Sequence, residues 1–191
     1  MAGPALVHPH VGVAAAVRIL ALDLSLTATG VCCPDGSLWV IRTGSRRAME
    51  RLAYVRDRIQ HEVEVYEPDV VVLEGYSFAS TGRAGISLGE LGGAIRLALF
   101  CWGVPYVDIP PTNRARYAAG KGNASKDLVL QQAVFRSGRV FDDNNAADAW
   151  WLWQMALAHY EPESPLLAKV PKTHLDGLVK VPWVEIGKRT A

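Results

Sequence analysis

Apolar residues along this chain follow two rhythms, short unbroken runs and three-to-four-residue steps. "RILALDL", "TGVCC" and "LWVIRTG" are runs of strand length, and the tight "PDGS" turn makes the second and third a hairpin. "RRAMERLAYVRDRIQHEVEVY" changes the period: Met49, Leu52, Val55, Ile59, Val63 and Tyr66 recur as on one helix face, which Pro68 ends. "DVVVLEGY" suits a buried parallel strand, "ISLGELGGAIRLALFCWG" a helix with small residues on one side, and "VPYVDIP" a fifth strand. "PPTNRARYAAGKGNAS" reads as a basic, partly irregular connection, and "KDLVLQQAVFRSG" as a helix closed by Gly138. "NAADAWWLWQMALAHY" is a last helix, in which Trp150, Trp151 and Trp153 are packing residues.

A hairpin start followed by strand–helix–strand units predicts an α/β fold, a mixed five-stranded sheet with helices on both faces. At 191 residues the chain suits one domain. Residues 1–16 read as a flexible tail whose "HPH" is inert, 17–160 as the domain, and 161–191, entered past Pro162 and Pro165, as a C-terminal tail with scattered lysines.

The formal net charge of +1 excludes a uniformly basic nucleic-acid binder but not a locally basic one. Residues 112–139 carry Arg114, Arg116, Lys121, Lys126, Arg136 and Arg139 against Asp127 alone, while residues 62–74 hold five acids and no Lys or Arg. Such sorting fits one basic face and one acidic pocket. Cys32, Cys33 and Cys101 read as reduced and packed, no run is long enough for a membrane span, and the apolar stretch 1–17 lacks a charged n-region, so a signal peptide is not expected. The expectation is a soluble, cytoplasmic protein.

Asp23 stands in the middle of an apolar run, near the C-terminal half of its strand, where an aspartate is rarely buried unless paired or holding a metal. Glu74 ends the run that should lie parallel to it, at the sheet edge where ligands of open α/β sheets bind. Asp148 sits among Ala147, Ala149, Trp150 and Trp151, too apolar a setting for a surface acid. If the three meet, they form an oxygen-only site suited to Mg²⁺ or Mn²⁺ rather than zinc. Such ions in pairs activate water and stabilise a leaving oxygen in phosphodiester hydrolysis. The structural alternatives are a cap or salt bridge for Glu74 and an arginine partner for Asp148. "GKGNASK" offers backbone amides with Lys121, Asn123 and Lys126 toward phosphates, the alternative being a solvated loop. Tyr76 and Phe78, with Arg83 close by, follow Glu74 and have the chemistry to stack on unpaired bases, or to fill a core.

"LALDLSLTATG", "VVVLEGYSF", "GKGNASK" and "NNAADAW" occur in the order and approximate spacing of RuvC-type Holliday junction resolvases of the ribonuclease H-like superfamily. The resemblance covers roughly residues 18–158, and is strongest to bacteriophage-type members. It implies the ribonuclease H-like fold, two divalent ions held by Asp23, Glu74 and Asp148, and a homodimer making symmetric nicks in four-way DNA with 5′-phosphate ends. The helix with Gly92 and Gly93 is the expected part of its interface. It also implies DNA contacts through "GKGNASK" and an aromatic after Glu74. Two departures stand out: Leu24 and Ser25 replace the family's usual proline and glycine, and Asn145 stands where a charged fourth ligand is usual. Asn145 or Asp143 is the candidate fourth ligand; Asp142, Asp143 and Asn144 are equally helix N-cap residues. A kinase or ATPase of the actin and hexokinase type is disfavoured, because its duplicated core needs a longer chain. The remaining alternatives are a non-catalytic branched-DNA-binding protein and a broader flap or fork nuclease.

Overall fold

The strand Ile19–Asp23 (β1) is the centre of a five-stranded sheet ordered β3-β2-β1-β4-β5, in a computed structural model that describes residues 17–75 and 83–187. β2 (Ala28–Cys32) and β3 (Leu38–Arg42) run antiparallel beside it as the expected hairpin. Its turn is closed by the Gly36 N–H donating to the Cys33 carbonyl at 2.8 Å. β4 (Val70–Glu74) and β5 (Tyr106–Ile109) lie on the other side, both parallel.

Alternation along the strands splits the core in two. Leu20, Leu22, Val71 and Leu73 pack under Val55 and Ile59 of α1 (Ala48–Tyr66) and Leu91, Ile95 and Leu99 of α2 (Arg83–Cys101). Ile19, Ala21, Val70 and Val72 face the opposite way, toward α5 (Asn144–Tyr160). Leu52, Val63 and Tyr66 join the α1 face as the period requires, while Met49, in the first turn, is exposed. Trp150, Trp151 and Trp153 of α5 are buried, and the Trp151 indole N–H donates to the Val129 carbonyl at 3.1 Å. α4 (Lys126–Ser137) packs beside α5; its N-cap Ser125 accepts from the Leu128 N–H, and Gly138 ends it in the left-handed conformation.

Two segments differ from the sequence reading. The basic connection contains a helix, α3 (Pro111–Ala119), opened by proline at its first position and closed by Gly120. Residues after Tyr160, expected only as a tail, pack back on α3 and α5. Val181 is buried, and Leu166, Val170, Leu178 and Trp183 lie against the α5-side core. The Gln154 amide donates to the Leu166 carbonyl at 3.1 Å and accepts from the Ala168 N–H at 2.7 Å. A 3₁₀ turn, Lys172–Leu178, rests on α3, where the Asn113 amide donates to the Gly177 and Val179 carbonyls, both at 2.9 Å. Among the described residues no helix is long and apolar enough to cross a membrane.

Candidate active site

β1 and β4 pair in parallel with Ala21 beside Val72 and Leu22 beside Leu73. Because side chains alternate, Asp23 follows Ile19 and Ala21 onto the α5 face, and Glu74 follows Val70 and Val72 onto the same face. One step beyond the last register pair, the two acids are neighbours at the C-terminal edge of the sheet. Asp148, in the second turn of α5, approaches them from the layer above.

Close packing of α5 depends on Gly30 of β2. A Cβ at this position would run into the Asn145 carbonyl, so only glycine lets the start of α5 lie so near the sheet. Beside it, the buried Thr29 hydroxyl donates to the Ser25 carbonyl at 3.0 Å and accepts the Ser25 N–H at 3.1 Å, tying down the turn after Asp23. On the other side, Arg96 of α2 forks onto Asp108 of β5 and reaches the Glu74 carbonyl, bracing the end of β4.

Two of the acids are held away from water, while Glu74 is half-buried. Asp23 is 5 % exposed and Asp148 7 %. Burial first, then the charges of Glu74 and Asp148, hold the Asp23 carboxyl well above its ordinary pKa, and a hydrogen bond with Glu74 adds to this. Burial pushes Asp148 up to about 6; Arg114 opposes the rise, Glu74 adds to it, and Lys126 opposes it.

Arg114 is the residue that sequence reasoning missed as part of this site. It lies on α3, 7 % exposed, with Nε donating to Glu74 Oε1 at 2.6 Å and its terminal nitrogen to Asp148 Oδ1. Burial disfavours its charge, but Glu74, Asp148 and Asp23 outweigh that and raise its pKa further. The two alternatives set against a metal role, a salt bridge for Glu74 and an arginine for Asp148, are thus both realised through one side chain. Its sequence signal was the basic run together with Pro111 and Gly120, which bound a helix pointing at the sheet edge.

The remaining candidates divide clearly. Lys121, Asn123 and Lys126 are exposed around the start of α4, and Lys126 is near enough to act on Asp148. Asp143 caps α5: one oxygen accepts the Asn145 N–H at 2.9 Å and the other pairs with Arg42 at 3.1 Å. Asn145 is half-buried one turn before Asp148, and Asp142 is exposed. Tyr76, Phe78 and the side chain of Arg83 lie outside the described residues.

Three carboxylates with no His or Cys beside them, two buried and Glu74 half-buried, have the donor chemistry of a hard divalent cation. Among the described residues no set of three or more His, Cys, Asp or Glu side chains is arranged around a common ion position. The Arg114 guanidinium stands between Glu74 and Asp148 instead.

A hairpin and two parallel strands in this order, with acids at the adjoining ends of β1 and β4 and a third on the covering helix, define a nuclease fold of the ribonuclease H-like class. The family model described as "Crossover junction endodeoxyribonuclease RuvC" matches residues 27–159. A relative of that name from Gloeobacter violaceus is 32 % identical over 145 residues, spanning 74 % of this chain and 81 % of its own. Another, from Acidobacterium capsulatum, is 28 % identical over 129 residues, 59 % of this chain and 75 % of its own. The structure of Thermus thermophilus RuvC in complex with Holliday junction substrate shares the fold, with a TM-score of 0.61 at 21 % identity over 71 % of this chain and 90 % of that one. The chain belongs to the RuvC family, and so to the divalent-metal-dependent nucleases that resolve Holliday junctions.

Proposed function

We propose that Asp23, Glu74 and Asp148 are the catalytic carboxylates, that they hold Mg²⁺ or Mn²⁺, two ions in the working site, and that the protein works as a homodimer nicking four-way DNA symmetrically. The observation that carries this reading is the convergence of the three acids on one face of the sheet edge. Bound cations would supply the charge that activates water and stabilises the departing 3′ oxygen. The protein's own part is to hold the three carboxylates together at the sheet edge, Asp23 and Asp148 buried and Glu74 half-buried. Asn145 is available as a neutral carbonyl ligand; Asp143 is committed to its cap and to Arg42.

DNA contact is assigned to Lys121, Asn123 and Lys126, whose exposed positions border the start of α4, and to Tyr76, Phe78 and Arg83, which follow Glu74 in the chain. Support for the dimer is the outer side of α2, where Ile86, Leu97 and Phe100 are 66 %, 63 % and 76 % exposed with Gly93 between them. A two-fold assembly suits a two-fold substrate. A cytoplasmic setting agrees with three free cysteines, two of them buried.

The test is a substrate panel of labelled four-way junction, flap, fork and linear duplex, each with Mg²⁺ and with Mn²⁺. The reading predicts paired nicks at symmetric positions in the junction and little cutting of duplex. Equal cutting of flaps would make the protein a broader structure-selective nuclease. Tight junction binding with no cutting in either metal would make it a branched-DNA-binding protein.

A further inference from the structure

We propose that Arg114 is a built-in counter-ion of the three carboxylates, and that divalent metal loads only by displacing its guanidinium from between Glu74 and Asp148. The inference rests on the reading of those acids as metal ligands and adds a residue which that reading does not use.

The geometry carries it. One planar fork engages both carboxylates, Nε on Glu74 at 2.6 Å and a terminal nitrogen on Asp148, in a position only 7 % exposed. The fork takes one oxygen of each acid, Glu74 Oε1 and Asp148 Oδ1, and sets its positive charge between the two carboxylates, where a divalent ion shared by them would meet both its charge and its bulk. A guanidinium does not lose its proton in a protein, so it cannot yield by neutralising; it has to move. The backbone beneath it is the part that stays. α3 is pinned from behind by Asn113 to the Gly177 and Val179 carbonyls, and a His174 ring nitrogen lies 3.0 Å from the Tyr117 carbonyl. Gly177 sits flat on the helix: a Cβ there would come within 2.6 Å of the Tyr117 side chain and 2.7 Å of the Asn113 carbonyl. Exchange of ion for guanidinium is then a side-chain motion on a fixed helix, and Arg114 sets how readily metal enters.

Two measurements without DNA test this. The first titrates Mn²⁺ into wild-type protein, Arg114→Gln and Arg114→Lys, following free Mn²⁺ by electron paramagnetic resonance. Arg114→Gln should bind Mn²⁺ about tenfold tighter or more, with Arg114→Lys, which keeps the charge but not the fork, in between. A folded Arg114→Gln that binds Mn²⁺ no tighter than wild type overturns the proposal. The second does not depend on Arg114→Gln: the Arg114 Nε–H signal in ¹⁵N NMR, assigned by its loss in Arg114→Lys, should shift or vanish as Mg²⁺ saturates the site. A signal unmoved at saturation overturns it even if Arg114→Gln fails to fold. Mn²⁺ binding to wild type and Arg114→Gln alike defeats this inference alone, whereas no binding to either defeats the metal-site reading as well.

Discussion

Burial and two neighbouring acids raise the pKa of Asp23 in the folded chain above its value in the unfolded one, and Asp148 rises to about 6. A carboxyl with a raised folded pKa binds its proton more readily when folded, so stability is highest below the unfolded pKa and falls as pH rises toward the folded one. Metal-free protein should therefore lose stability between about pH 4 and pH 6, near the ordinary carboxylate range and above it. Added Mg²⁺ should restore it at neutral pH, because it binds the folded state. Asp23→Asn, which puts a neutral group of similar shape in place of the buried carboxyl, should stabilise the metal-free protein at pH 7 in urea melts. Its advantage should shrink at pH 4; a destabilised variant at pH 7 would contradict the electrostatic account. Asp23, Glu74 and Asp148 were legible in sequence because each interrupts an apolar pattern, and strand alternation fixes the face of the first two. Arg114 was one cation among six in its stretch, and its partners depend on how α3 docks, which no local pattern encodes.

The approach of α5 to β2 positions Asp148, and Gly30 permits it. Gly30→Ala should push the start of α5 outward, costing about 2–3 kcal/mol. It should also lower junction cutting by about 10²-fold, since small misplacements of catalytic groups are expensive. Denaturant melts and single-turnover nicking separate the two effects; near-wild-type behaviour in both would contradict the packing described. The strands were readable as apolar runs, α1 from its period and α5 from its Ala and Leu content, down to the hairpin turn and the Gly138 cap. α3 was not, because nine residues make little more than two turns and open on Pro, Thr and Asn, although Pro111 and Gly120 mark its ends. The segment from residue 161 to 187 was unreadable for a different reason. It packs irregularly through Leu166, Val170, Leu178 and Val181, and apolar residues without a period give no signal of where they dock. Gly177→Ala should destabilise the protein by about 1–3 kcal/mol through its clash with α3, a change that a loosely attached segment would not feel.

As a whole, the molecule places its carboxylates at one sheet edge, with exposed lysines beside them at the start of α4 and an uncovered apolar stripe on α2. If that stripe joins two copies, Leu97→Asp with Phe100→Ser should halve the mass seen in sedimentation equilibrium while leaving the circular dichroism spectrum unchanged. An unaltered mass would move the interface elsewhere. The central claim is that the three acids at the ends of β1, β4 and in α5 do the cutting. Its most direct measurement compares single-turnover cleavage of a labelled four-way junction in Mn²⁺ by wild-type protein, Asp23→Asn, Glu74→Gln and Asp148→Asn, with junction affinity measured alongside. The account predicts that each variant loses about 10³-fold or more in rate while still binding the junction. A variant that binds and cuts within a few-fold of wild type would show that its carboxylate is structural and that the catalytic centre lies elsewhere.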